Sequence, residues 1–176
     1  MVAKKDKVVV IAGPTASGKS GLAVELSLRL RGEIVNADSM QVYRYMDVGT
    51  AKPSAKERQS VPHHLLDVVD PDQEFNAALY RSLAVPAIHE VLARGDGCFV
   101  VGGTGLYIKT LLGGLLQCPP ADPVLREALR HQAEAQGLET LYRKLEEVDP
   151  ESAKKINARD RLRVLRALEI IELTKK

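Results

Sequence analysis

The residues best suited to chemistry form an octet, Gly13-Pro14-Thr15-Ala16-Ser17-Gly18-Lys19-Ser20. It fits the pattern G-x-x-x-x-G-K-[ST], with an apolar run before it and helical spacing after it, the context a phosphate-binding loop requires. Glycines there let backbone N–H groups converge on phosphate oxygens. The helix that follows adds the positive end of its dipole. Lys19 supplies a point charge, and the Ser20 hydroxyl is placed to ligand Mg²⁺.

A second segment, Asn36-Ala37-Asp38-Ser39-Met40-Gln41, puts a carboxylate just after a short apolar run. At the carboxyl edge of an open α/β sheet, Asp38 holds Mg²⁺ or acts as a general base. An Asp in that position equally well caps a helix. A third segment, Val101-Gly102-Gly103-Thr104-Gly105-Leu106-Tyr107, follows another apolar run. Its glycines permit close approach of backbone to ligand. Thr104 can donate to a phosphate or a substrate, or simply cap a tight turn.

Charge concentrates near the end of the sequence. Between 154 and 166 lie Lys154, Lys155, Arg159, Arg161, Arg163 and Arg166 against Asp160 alone, a local excess larger than the whole chain's +2. At helical spacing Arg159, Arg163 and Arg166 share one face and Leu162, Leu165 and Leu168 another. Such a stripe suits a phosphate backbone, and it is also what a solvated helix face looks like. His63-His64 has no metal-ligand spacing and is assigned no chemistry.

The elements that must position these groups alternate. Residues 7–12 read as a strand, 19–31 as a helix marked by Leu22, Leu26 and Leu30, and 33–36 as a second strand. A loop follows to Pro53, then a strand over 64–69, a helix over 76–94, a strand over 98–101 and a helix through Leu112. Alternation of this kind marks an α/β domain with a mostly parallel sheet. After the proline-rich stretch 117–123 the sequence reads as helix over 123–136, 138–147, 150–156 and 160–174. The division expected is an α/β core over 1–117, a helical segment over 118–160 and a helix over 161–176 that returns to the core.

The 176 residues are 45% hydrophobic and 27% charged, which excludes a disordered chain, a collagen-like repeat or a coiled coil. Its two cysteines, Cys98 and Cys118, fit no metal or redox spacing; Cys98 reads as a small buried hydrophobe and the compartment as a reducing cytoplasm. The apolar run after Lys7 is too short for a signal peptide, and nothing approaches a membrane span.

Taken together, the segments resemble the tRNA dimethylallyltransferase (tRNA isopentenyltransferase) family. The resemblance rests on 13–20, on Asn36-Ala-Asp-Ser-Met-Gln-Val-Tyr43, on Met46-Asp-Val-Gly-Thr-Ala-Lys-Pro53, on Val61-Pro-His-His64, on 101–107 and on Arg166-Ala-Leu-Glu169, in the family's order. It implies a P-loop NTPase-like α/β core, a mostly parallel sheet flanked by helices, with a helical C-terminal or inserted part. It implies Mg²⁺-assisted transfer of a dimethylallyl group from its diphosphate to N6 of the adenosine just 3′ of the anticodon. On that resemblance, Gly13, Thr15, Ala16, Ser17, Gly18, Lys19 and Ser20 hold the donor diphosphate, with Ser20 the metal ligand. Asp38 is the general base, and Lys19 and Thr104 complete the catalytic set. Asp38, Ser39, Met40, Gln41, Thr104, Arg126, Arg163 and Arg166 contact the anticodon stem-loop. A cytoplasmic monomer is expected. The chain departs from the family pattern at Tyr45, usually Gly, and at Leu162, usually a tRNA-contacting Gln. A P-loop small-molecule kinase explains the phosphate loop alone, and a donor-binding fragment without turnover explains all of the motifs.

Overall fold

The apolar runs around the motifs become the strands of one parallel sheet in a computed structural model that describes residues 8–114 and 118–175. The strands are β1 (Val8–Ala12), β2 (Gly32–Asn36), β3 (His63–His64) and β4 (Gly97–Gly102), in the spatial order β1-β4-β2-β3. The helices of this part are α1 (Lys19–Leu30), α2 (Ala55–Ser60), α3 (Ala77–Ala93) and α4 (Gly105–Gly113). Lys7 and Gln117, where the sequence sets the start of the first strand and the end of the core, lie outside the described residues.

Side chains leave successive strand residues on opposite faces, so one run of apolar residues serves two cores. Val35, Cys98 and Val100 pack with Tyr80, Ala84, Ile88 and Val91 of α3. Ile34, Phe99 and Val101 pack on the other face with Ala23 of α1. The leucine spacing marks α1 correctly as a helix, and of its three leucines only Leu26 packs, partly buried, against the core. Ala23 and Ser27 are buried while Leu22 and Leu30 stay exposed, because small residues let α1 approach the sheet.

The strand expected over 64–69 is much shorter. Leu65 and Asp67 sit at φ 61° and 54°, left-handed values that break an extended run, so pairing stops at His64 and resumes only as an isolated bridge between Tyr43 and Val69. The polar stretch before it forms α2, started by a reciprocal capping box between Ser54 and Glu57.

Contacts divide the chain into units of residues 1–115 and 116–176. The second unit is helical: α5 (Pro123–Gln136), α6 (Leu138–Val148), α7 (Pro150–Ala153) and α8 (Arg161–Thr174). The last of these, for which a return to the α/β core is expected, contributes Val164, Leu165 and Leu168 to a core shared with Leu129, Leu141 and Leu145. Leu162 does not join them and remains 79% exposed.

Cys98 is buried, and burial pushes its thiol up to about 11, whereas Cys118 is exposed. Only thiolate reacts with a disulfide reagent. At pH 8 the native chain is therefore expected to release one equivalent of thionitrobenzoate quickly, and two equivalents once denatured. Rapid release of both from the native chain would contradict the packing of β4.

Candidate functional site

The strand order explains why three separate motifs meet. β4 lies between β1 and β2, each pairing in parallel with it, so the segments after Ala12, Gly102 and Asn36 leave the sheet side by side at one edge. Ligands of open α/β sheets bind at such carboxyl edges.

The loop after β1 opens directly into α1. Gly18 precedes the helix at φ 82°, where no Cβ interferes, and no side chain caps the helix. No acidic residue stands in its first turn. The first N–H groups of the helix therefore face a space of about 300 Å³ bordered by Thr15, Ser17, Lys19 and Ser20. This arrangement binds anions. The Lys19 ammonium donates to the Pro14 carbonyl at 3.0 Å, folded over the loop it belongs to.

After β2 the chain is fastened by its own side chains. The buried Asn36 accepts from Asp38 N–H at 3.2 Å and donates to the Leu65 carbonyl at 3.1 Å. Asp38 Oδ1 accepts from Met40 N–H at 2.9 Å. Residues 39–42 form turns, so Asp38 caps a turn and not a helix.

The loop after β4 is sewn to this one. Ala37 N–H donates to Val101 O at 2.8 Å, and Thr104 N–H to Ala37 O at 3.1 Å. Thr104 Oγ1 accepts Ser39 N–H at 2.8 Å and makes no cap bond to α4. Its own O–H remains a donor. A methyl group placed on Gly103 would lie 3.3 Å from Gly13 O, 3.8 Å from Asp38 Oδ2 and 3.9 Å from Lys19 Nζ. Two atoms of the first motif and one of the second thus close on a point beside the third.

Lys19, Ser20, Asp38 and Gln41 border both this cleft and the phosphate-sized space next to it. Gln41 is buried, and its amide donates to the carbonyls of Thr50 at 3.1 Å and Ala51 at 2.9 Å, which brings the loop 46–52 against the site. Ser39 is half-buried and Met40 exposed at the rim. The hydroxyl of Ser20 and the carboxylate of Asp38 are hard oxygen donors on one cleft, a set suited to a divalent cation that keeps water and phosphate in its shell.

Spacing gave no reason to assign chemistry to His63, yet it lines the same cleft. Its pairing with Ile34 across β2 and β3 places it there, a long-range contact with no local signature. Burial pushes its pKa down, so the ring is neutral. Its Nδ1 lies 2.8 Å from Val61 O, which can only accept, so the proton is on Nδ1 and Nε2 is an acceptor.

In the helical unit, Arg126 and Arg166 both bind the fully buried Glu169, at 2.9 and 2.8 Å. Asp122 N–H also donates to it at 2.8 Å. Burial alone would push this carboxyl up; the hydrogen bonds from Arg166, Arg126 and Asp122 outweigh it and hold it low. Arg163 is exposed and 3.3 Å from Asp160.

A family profile described as IPP transferase matches residues 41–176. The tRNA dimethylallyltransferase 2 of Geotalea uraniireducens is 55% identical over 170 residues, which are 97% of this chain and 55% of that protein. The full-length tRNA isopentenylpyrophosphate transferase of Bacillus halodurans is 46% identical in structure-based comparison, with a TM-score of 0.64 over 97% of this chain and 56% of its own. A eukaryotic dimethylallyltransferase, described as acting on tRNA, superposes with a TM-score of 0.80 at 34% identity, over 97% of this chain and 42% of its own. The chain spans about half the length of the curated relatives it matches.

Proposed function

The chain belongs to the IPP transferase family, and from that premise we propose that it transfers a dimethylallyl group from dimethylallyl diphosphate to N6 of the adenosine 3′-adjacent to the anticodon in tRNA. The observation that carries this reading is the convergence of Gly13, Lys19 and Asp38 beside Gly103, which sets a base next to an anion cradle.

The diphosphate sits at the N-terminus of α1, over Gly13 and Thr15 to Ser20. Lys19 exchanges its bond to Pro14 O for a diphosphate oxygen, and its charge stabilises the negative charge that develops as the C–O bond of the donor breaks. Ser20 is the residue that would hold Mg²⁺, whose chemistry is to neutralise charge on the leaving diphosphate. As the bond from N6 to the allylic carbon forms, Asp38 Oδ2 accepts the N6 proton. Thr104 holds Ser39 through its oxygen and donates its O–H to the substrate. His63 Nε2 is an acceptor on the same wall.

The adenosine must leave its stack to enter such a cleft. Ser39, Met40 and Gln41 then meet the RNA at the rim, and the helical unit meets it with Arg126, Arg163 and Arg166. A cytoplasmic monomer suits a tRNA-modifying enzyme; among the described residues no helix is long and apolar enough to cross a membrane.

The test is incubation with Mg²⁺, labelled dimethylallyl diphosphate and unmodified tRNA. Label is expected in the RNA, on that adenosine, either from this chain or from one extended to the length of its relatives. Absence of label from both forms would overturn the reading.

A further inference from the structure

A second cleft, of about 620 Å³, opens beside the first and shares Pro53 with it as a wall. Its border includes Arg44, Tyr45, Lys52, Arg58 and Asp67. Tyr45 is 82% exposed and stands at φ 63°, a left-handed value that a bulky residue rarely adopts. The ring contributes little to the core, and the backbone conformation disfavours it, so folding does not account for it.

Everything around the ring is tied down. Arg44 N–H donates to Val69 O at 2.8 Å, and its guanidinium reaches Val68 O at 3.2 Å and Asp70 at 3.1 Å. The Lys52 side chain is only 2% exposed and binds Tyr43 O at 2.6 Å, Asp47 at 2.9 Å and Asp67 at 2.7 Å. Arg58 joins Asp67 at 2.7 Å and Pro53 O at 3.0 Å. The aromatic ring therefore projects from a fixed backbone at a cleft that also carries the guanidinium groups of Arg44 and Arg58, which keep part of their surface open to water.

An exposed aromatic ring and guanidinium groups on one cleft supply the chemistry that holds an unstacked nucleobase. We propose that Tyr45 is a stacking platform for an unpaired nucleotide of the RNA, a neighbour of the adenosine that enters the cleft beyond Pro53. This rests on the tRNA reading above. The shared wall favours it: a strand that delivers one base past Pro53 passes its neighbour over Tyr45. The ring acts on binding and takes no part in the transfer of the allyl group.

The experiment uses the 176-residue chain and an anticodon stem-loop carrying 2-aminopurine at each loop position in turn. Tyr45→Ala is expected to weaken RNA binding by about tenfold or more, the range seen when a stacking aromatic is removed. Tyr45→Phe keeps the ring and is expected to bind as the unaltered chain does. One loop position should be quenched by the unaltered chain and by Tyr45→Phe but not by Tyr45→Ala. Dimethylallyl diphosphate binding should be the same in all three. Equal RNA affinity for Tyr45→Ala would overturn the platform and leave the tRNA reading standing, as would a parallel loss of diphosphate binding. Failure of both the unaltered chain and a form extended to the length of its relatives to bind the stem-loop would overturn both.

Discussion

Asp38→Asn is expected to lower dimethylallyl transfer by about 10²–10⁴-fold, the usual contribution of a positioned general base. The substitution is chosen for its shape. Asn keeps an oxygen to accept Met40 N–H, so the turn over 39–42 and its tether to Thr104 survive. What it loses is the charged oxygen near Lys19 Nζ and Gly13 O. The anion cradle belongs to α1 and its loop, so donor binding in the absence of metal should change little. The measurement is the single-turnover transfer rate at saturating donor and tRNA. A rate within threefold of the unaltered enzyme would mean that the proton leaves N6 by another route, and His63 Nε2 would be the next group to test.

Gly102→Ala is expected to cost about 3 kcal/mol of stability or more, at the upper end of what overpacking does. A Cβ at this position would lie 2.1 Å from Ala37 O, 2.2 Å from its carbonyl carbon and 2.7 Å from its Cα. Those are backbone atoms and cannot rotate aside. Relief requires β2 and β4 to separate where Ala37 N–H meets Val101 O and Thr104 N–H meets Ala37 O. The loss would be a large fraction of the 5–15 kcal/mol that typically holds a domain together. Urea unfolding followed by far-UV circular dichroism measures it. Gly105→Ala is the matched control: nothing lies within 4 Å of its Cβ position, and alanine favours a helix. Equal midpoints for the two variants would mean that the strands are not packed this closely.

Much of the site is readable from sequence because its chemistry is local. The octet 13–20 contains its own turn, lysine and hydroxyl, and the helix that must follow begins inside it. Asn36 to Gln41 likewise carries both Asp38 and the side chain that fastens it. What spacing does not reveal is which strand lies beside which. β4 inserts between two strands that come earlier in the chain, and only that insertion brings Gly103 to Asp38. His63 is missed for the same reason, since its place depends on a register with Ile34.

Other differences come from packing. Leucine spacing identifies α1 as a helix, but the face that meets the sheet is chosen by size, and Ala23 and Ser27 fit where Leu22 does not. A run such as 64–69 has strand-like composition, yet two left-handed residues end it. Nothing in the spacing of Arg126 and Arg166 shows that the buried Glu169 engages both. By contrast, the three-residue spacing of Ser54 and Glu57 that starts α2 is a legible helix signal in the sequence.

The amide of Gln41 fastens the neighbouring loop by the carbonyl oxygens of Thr50 and Ala51 and not by their side chains. Every residue type brings the same carbonyl. Over evolutionary time the clasp itself therefore constrains only the glutamine codon, while Thr50 and Ala51 answer to other demands: the Thr50 hydroxyl donates to Met46 O at 2.7 Å, and Ala51 stands at a left-handed φ of 50°.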